Sequence, residues 1–126
     1  MYRCASVAAL AAALCSAALA QDVRYFPRDA LRGELQITQP PDAVLNGQPA
    51  RLAPGSRIRG ANNMLALSGS LVGQKLVVNY TIDSSGLLKD LWVLTEAEQK
   101  ISPWPRSPSE AAAWRFDNAT QTWAKP

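Results

Sequence analysis

Three arginines set close together, Arg51, Arg57 and Arg59, and three tryptophans near the end of the chain, Trp104, Trp114 and Trp123, have the greatest capacity for recognition chemistry. Arg and Trp dominate binding hot spots because each joins a large flat surface to hydrogen-bond donors. Arg51, Arg57, Arg59 and Trp104 are therefore the candidate binding residues. The arginines sit on short strands, and Trp104 sits on a proline-rich strap expected to cross near them. Acid–base and covalent chemistry have less to work with. The sequence contains no His, and its two cysteines, Cys4 and Cys15, fall in an apolar leader. Asp83 and Asp117 read as turn residues and Asp90 as a rim charge. Ser85 and Lys89 are spaced one residue too far for a Ser-x-x-Lys pair. Gly69–Gly73 lacks the Lys and the following helix of a phosphate-binding loop. After the leader, the usual zinc, copper and haem ligand sets are missing. No catalytic residue, metal site or cofactor is assigned, and the reading is of a non-enzyme.

The leader is MYRCASVAALAAALCSAALA. Arg3 precedes an uncharged run, and Ala18-Leu19-Ala20 supplies the small-x-small pattern that a signal peptidase requires. The expectation is a secretory signal peptide over residues 1–20, cleaved between Ala20 and Gln21. A membrane-spanning helix would need a longer apolar run. Cleavage leaves a chain without cysteine and without a membrane anchor, long enough for one domain. The formal net charge of +3 falls by one with Arg3. That balance is too weak for a nucleic-acid binder but permits attraction to an anionic envelope component.

The remaining chain is expected to divide into three parts. Residues 21–32 hold a helical turn, with Pro27 at its start and Gly33 just past its end. Arg24, Arg28 and Arg32, spaced by four, would line its solvated face. Residues 33–95 form the β domain. Gly33–Thr38 alternates with Leu35 and Ile37 inward. Pro40-Pro41 ends that strand. Asn46-Gly47 predicts a type I′ hairpin. Pro49 relegates the returning strand to an edge, Pro54-Gly55-Ser56 makes a further turn, and Arg57-Ile58-Arg59 is a short strand with Ile58 inward. Met64–Leu67 is another strand. Turns every eight to twelve residues and no helical period indicate an all-β fold, a small meander closed into a barrel or folded as a sandwich.

The clearest hairpin is Lys75–Thr95. Asp83 caps its turn and Gly86 takes the left-handed position of a three-residue loop with a bulge. Asp83 then faces Leu87, and the pairs Ile82–Leu88, Val78–Trp92 and Leu76–Leu94 share one face, with Tyr80 opposite Asp90. A four-residue loop would instead set Val78 against Leu91. A slip of one residue exchanges the faces. In residues 96–126, Thr95–Glu98 fits a capping box, Ser107–Glu110 opens a second short helix, and Phe116 and Trp123 flank a terminal turn. The tryptophans of this tail either extend the core or line a groove for a partner.

The runs AVLNGQPARLAPGSRI and LVGQKLVVNYTIDSSGLLKDLWVLT, with the Trp-Pro-x-x-Pro tail, resemble small exported proteins of unknown function from Gram-negative bacteria, especially β-proteobacteria. Over Gly33–Thr95 the chain is more loosely similar to periplasmic OB-like domains. The resemblance implies a periplasmic β-barrel and no particular activity. The functional expectation is a non-catalytic periplasmic binding or interaction module whose partner is an envelope protein or an anionic envelope component. The alternatives are a structural or stress-related envelope protein without a specific ligand, whose tail caps the barrel, and a hydrolase with a pocket that the fold would have to assemble.

Overall fold

The computed structural model describes residues 24–126; the leader and its expected cleavage site at Ala20–Gln21 lie outside them. The fold is all-β, mostly strand with two short helices. The strands are β1 (Leu31–Gln39), β2 (Asp42–Leu45), β3 (Gln48–Arg59), β4 (Leu65–Ala66), β5 (Lys75–Ile82), β6 (Leu88–Val93), β7 (Arg115–Asp117) and β8 (Thr122–Ala124). The helices are α1 (Glu96–Gln99) and α2 (Pro108–Ala113), and a 3₁₀ turn spans Ser68–Leu71. The main sheet runs β2-β1-β5-β6-β3-β4, and β2 also pairs with β3. Every pairing between these strands is antiparallel except β3–β6, and an isolated parallel bridge joins Ile37 to Val72. The expected meander does not describe this order. β1–β5 and β3–β6 join strands distant in sequence, because the segment after β3 carries the chain back to the free edge of β1.

Local chemistry accounts for the hairpins. Asn46 and Gly47 have φ of 52° and 79° and join Leu45 to Gln48 in a two-residue loop, which needs positive φ at both positions. Pro49 is paired on one side only, with β2, since the pairing of β3 with β6 begins at Leu52. The pair flanking a two-residue loop is the hydrogen-bonded one, so Pro49 falls in the next, non-bonded pair with Val44, where no N–H is needed. Pro54-Gly55 is not a turn between strands. It lies within the twelve-residue β3 as a bulge, with Gly55 at φ 76°. Leu52 pairs with Leu88 and Arg57 with Asp90, so β3 spends three more residues than β6 over this interval. The bulge falls after the part of β3 that pairs with β2 and before most of its pairs with β6.

The β5–β6 hairpin keeps the predicted register only near its turn. Asp83 Oδ1 accepts the amides of Ser85 at 2.8 Å and Leu87 at 3.0 Å, Asp83 N donates to Leu87 O, and Ile82 pairs with Leu88. Beyond that point Tyr80 pairs with Leu91, Asn79 with Trp92 and Val78 with Val93. The expected pairs Val78–Trp92 and Tyr80–Asp90 are therefore replaced. One extra residue at Lys89–Asp90 bulges β6, and Thr81 Oγ1 accepts the displaced Asp90 amide at 3.1 Å. The bulge has a packing cause. Leu88 and Leu91 are three residues apart and both buried in the same cluster; strict alternation would send one of them outward.

Two clusters form the interior. The inner one gathers Leu31, Leu35, Ile37, Leu52, Ile58, Val78, Tyr80, Leu88 and Leu91. The outer one gathers Phe26, Ala30, Leu94, Trp104 and Trp123, with Trp92 packed against it. Asn79 and Thr81 are also buried, so the second face of β5 is covered as well. The helical turn expected at residues 27–32 is a single turn, Ala30 N to Pro27 O at 3.0 Å, leading directly into β1. The tail follows its caps. Thr95 and Glu98 form a reciprocal capping box on α1, Ser107 Oγ accepts the Glu110 amide at 3.2 Å on α2, and Phe116 pairs with Trp123 across β7–β8.

Candidate functional site

Sheet register places one row of residues across five strands: Leu65, Arg59, Trp92, Asn79 and Arg32 are successive neighbours. The two ends of the row differ. At the Arg32 end the strap covers it. Arg32 is 7% exposed; its Nε donates to Asn79 Oδ1 at 3.2 Å, Nη2 to Glu98 O at 3.2 Å, and Nη1 to Ile101 O. Burial lowers its pKa to about 10, with the charge of Glu98 acting in the opposite direction and that of Arg106 adding to the fall. At the Leu65 end none of the described residues covers the row, and Leu65 is 65% exposed.

Arg24 is the second arginine taken up by the fold. Its guanidinium pairs with the Glu98 carboxylate, with Nε to Oε2 at 2.9 Å, and donates to Gly60 O at 2.9 Å and Val93 O at 2.8 Å. The side chains of the pair are 8% and 13% exposed. Burial alone would raise the Glu98 carboxyl, but the hydrogen bond from Arg24, the Thr95 amide and the Arg24 charge outweigh it and hold the carboxyl below its ordinary value. The solvated stripe expected of Arg24, Arg28 and Arg32 thus dissolves: Arg32 is buried, Arg24 is half-buried with its side chain in the Glu98 pair, and only Arg28 stays exposed. Their spacing of four has no helix beneath it.

A cavity of about 720 Å³ opens beside this pair and is lined by Phe26, Asn62, Asn63, Thr95, Glu96 and Ile101 among others. Glu98 faces it ionised and already hydrogen-bonded, which is the wrong state for a general acid. The other turn carboxylates are similarly committed. Asp83 caps its hairpin, and Asp117 Oδ1 accepts the Ala119 amide at 3.0 Å.

The four residues singled out by sequence do not form one site. Arg57 and Arg59 stand two apart on β3. Arg57 is exposed and opposite Asp90; Arg59 is half-buried and donates to Asn63 O at 3.2 Å. Arg51 is exposed on the far side of the Pro54-Gly55 bulge, opposite Asp42, in a groove with Pro41 and Leu87. Trp104 is 5% exposed, inside the outer cluster, with its ring against Phe26, Phe116 and Trp123. The cation over its face is Arg32, not one of the three on β3.

What sequence reasoning passed over lies between β3 and β5. Met64–Leu67 was expected as a strand, but only Leu65 and Ala66 pair, with β3. Met64, Leu65, Leu67 and Val72 are 67%, 65%, 80% and 44% exposed. Scattered exposed leucines are ordinary, but three large apolar side chains within four residues form a ledge. Its backbone is largely closed internally: Met64 N donates to Asn62 Oδ1, Gly60 N to Met64 O, and both Ser70 N and Ser70 Oγ to Leu67 O. One sequence signal marks the region. From Ala43 to Ile82 there is no Asp or Glu, while Arg51, Arg57, Arg59 and Lys75 all fall there. No known protein family, curated protein or solved structure matches the chain.

Proposed function

We propose that this chain is a non-catalytic, exported binding module of the periplasm, built on an OB-like β-barrel, that meets its partner through the Met64–Val72 ledge and the arginines beside it. The exposed ledge is the observation that carries the reading, because burying large apolar side chains against a partner is the main source of association energy. The pairing circuit β1–β2–β3–β6–β5–β1 supports a closed five-stranded barrel of the OB kind. Commitment of Glu98, Asp83 and Asp117 to pairs and caps favours recognition over hydrolysis. Affinity recovery from envelope extracts tests it. The unaltered protein retains a specific component that Arg57→Ala/Arg59→Ala and Leu65→Ser/Leu67→Ser both lose. Equal recovery by all three proteins, or nothing above background, counts against it.

A second reading, a structural envelope protein whose tail caps the barrel, draws on the burial of Trp104 and Trp123. The two readings part on the ledge variants, which leave a purely structural protein unaffected.

A further inference from the structure

We infer that the ledge seats on an anionic phospholipid surface; this rests on the reading of the ledge as the contact surface and names its partner. Three observations point the same way.

The first is side-chain chemistry. Met64, Leu65 and Leu67 project from the connection between β3 and β5, with Val72 following the 3₁₀ turn. Such a cluster can enter the boundary between headgroups and acyl chains without leaving its domain.

The second is charge. Arg59 is the register neighbour of Leu65, Arg57 is two residues before it, and Lys75 follows Val72 by three residues. No carboxylate occurs in the sequence between Ala43 and Ile82; Asp90 is the register neighbour of Arg57 but forms no ion pair with it, the one ion pair among the described residues being Arg24–Glu98. Arg57 and Arg59 therefore keep their charge available for phosphate groups, which guanidinium recognises with paired donors.

The third is backbone satisfaction, and it separates lipid from protein partners. An apolar interface offers few partners for bare peptide groups. Here Met64 N, Met64 O and Leu67 O are bonded within the segment. The same closure leaves little for a peptide adding a strand to β4, which has only two paired residues. A second copy docking symmetrically on the ledge would bring Arg57 and Arg59 toward their own counterparts, and like charges oppose that arrangement.

The test is flotation of the exported protein with vesicles of phosphatidylcholine alone and with about one third phosphatidylglycerol. Whatever precedes residue 24 is common to every variant, so differences between variants read the ledge. The protein should float with the anionic vesicles and be released by raised salt. Arg57→Gln/Arg59→Gln should weaken binding on the order of five-fold per arginine, and Leu65→Ser/Leu67→Ser should abolish it. Unchanged thermal melts of both variants separate the loss from unfolding. Equal binding to neutral vesicles, or binding unaffected by both variants, overturns the inference. If no vesicle binding is seen but Leu65→Ser/Leu67→Ser loses a protein partner, the lipid assignment falls while the interaction module stands. A concentration-dependent dimer that the leucine variant abolishes, without vesicle binding, likewise overturns it in favour of a second copy.

Discussion

Arg32 and Trp104 hold each other in place from both directions. The Arg32 guanidinium lies 4.9 Å from the centre of the Trp104 ring. The indole N–H donates to Ala30 O at 3.0 Å, and the Arg32 amide donates to Pro105 O at 2.8 Å. β2 pairs with β1 only from Leu35 onward. The strap therefore occupies the edge of β1 that β2 leaves open, and it supplies the carbonyls that Arg32 needs in order to be buried. The tail and the start of β1 form one polar joint sealed by aromatic rings.

Arg32→Ala should destabilise the domain by about 3–5 kcal/mol, because it strips donors from three buried or partly buried carbonyl oxygens and a stacking cation from Trp104. Arg32→Lys should recover only part of this. A compact ammonium cannot reach Asn79, Glu98 and Ile101 together as the planar fork does. Urea unfolding of the three proteins measures the order, and a lysine variant as stable as the parent would contradict the joint.

Removing residues 101–126 should leave the outer face of β5 and β6 bare. Phe26, Trp92 and Leu94 would lose Trp104 and Trp123, with which they share the outer cluster. Each buried large side chain is worth roughly 1.5–3 kcal/mol, so the truncated protein should melt far lower and bind a hydrophobic dye. A truncated protein with an unaltered melting temperature would show that the rings are passengers.

Thr81→Val is nearly isosteric but removes the acceptor of the bulged Asp90 amide. It should cost about 1–3 kcal/mol, or about 4–8 °C of melting temperature per kcal/mol in a domain near 100 residues. Thermal melts of the pair are sufficient. No change would mean that the amide finds another acceptor and that the bulge is set by Leu88 and Leu91 alone.

That bulge marks the boundary of what local sequence conveys. Asn46-Gly47, Asp83 with Gly86, the Thr95–Glu98 box and the Phe116–Trp123 hairpin were all legible, because each is closed within about eight residues by its own side chains. The position of Lys89–Asp90 as a bulge depends on where Leu91 must go in a core built by β1 and β3. Pro54-Gly55 has the composition of a turn but bends a continuous strand that changes partners. Arg24 and Arg32 carry a helical spacing whose meaning is set by Glu98, Ile101 and Pro105, some seventy residues away. In the candidate surface, Arg57 and Arg59 were legible from their alternation about Ile58. The ledge was not, because an apolar run looks the same whether a sheet covers it or nothing does.

The Arg24–Glu98 pair should give stability a definite pH dependence. The folded carboxyl titrates below its unfolded value, so its contribution is fully present above the unfolded carboxyl range, near pH 4–5, and is lost as pH falls through the folded value. Glu98→Gln should then cost about 1.5–3 kcal/mol at neutral pH, the worth of hydrogen bonds to a charged group. Arg24 would keep its bonds to Gly60 O and Val93 O but face a neutral partner. As pH falls through the folded value the parent also loses its charge, and the gap between the two proteins should close. Moderate salt should change the gap little, since both side chains are mostly buried. Urea titrations at a series of pH values measure it. A gap that stays constant into the acid range would mean that Glu98 acts through its contacts and its fit in the capping box, with no contribution from its charge.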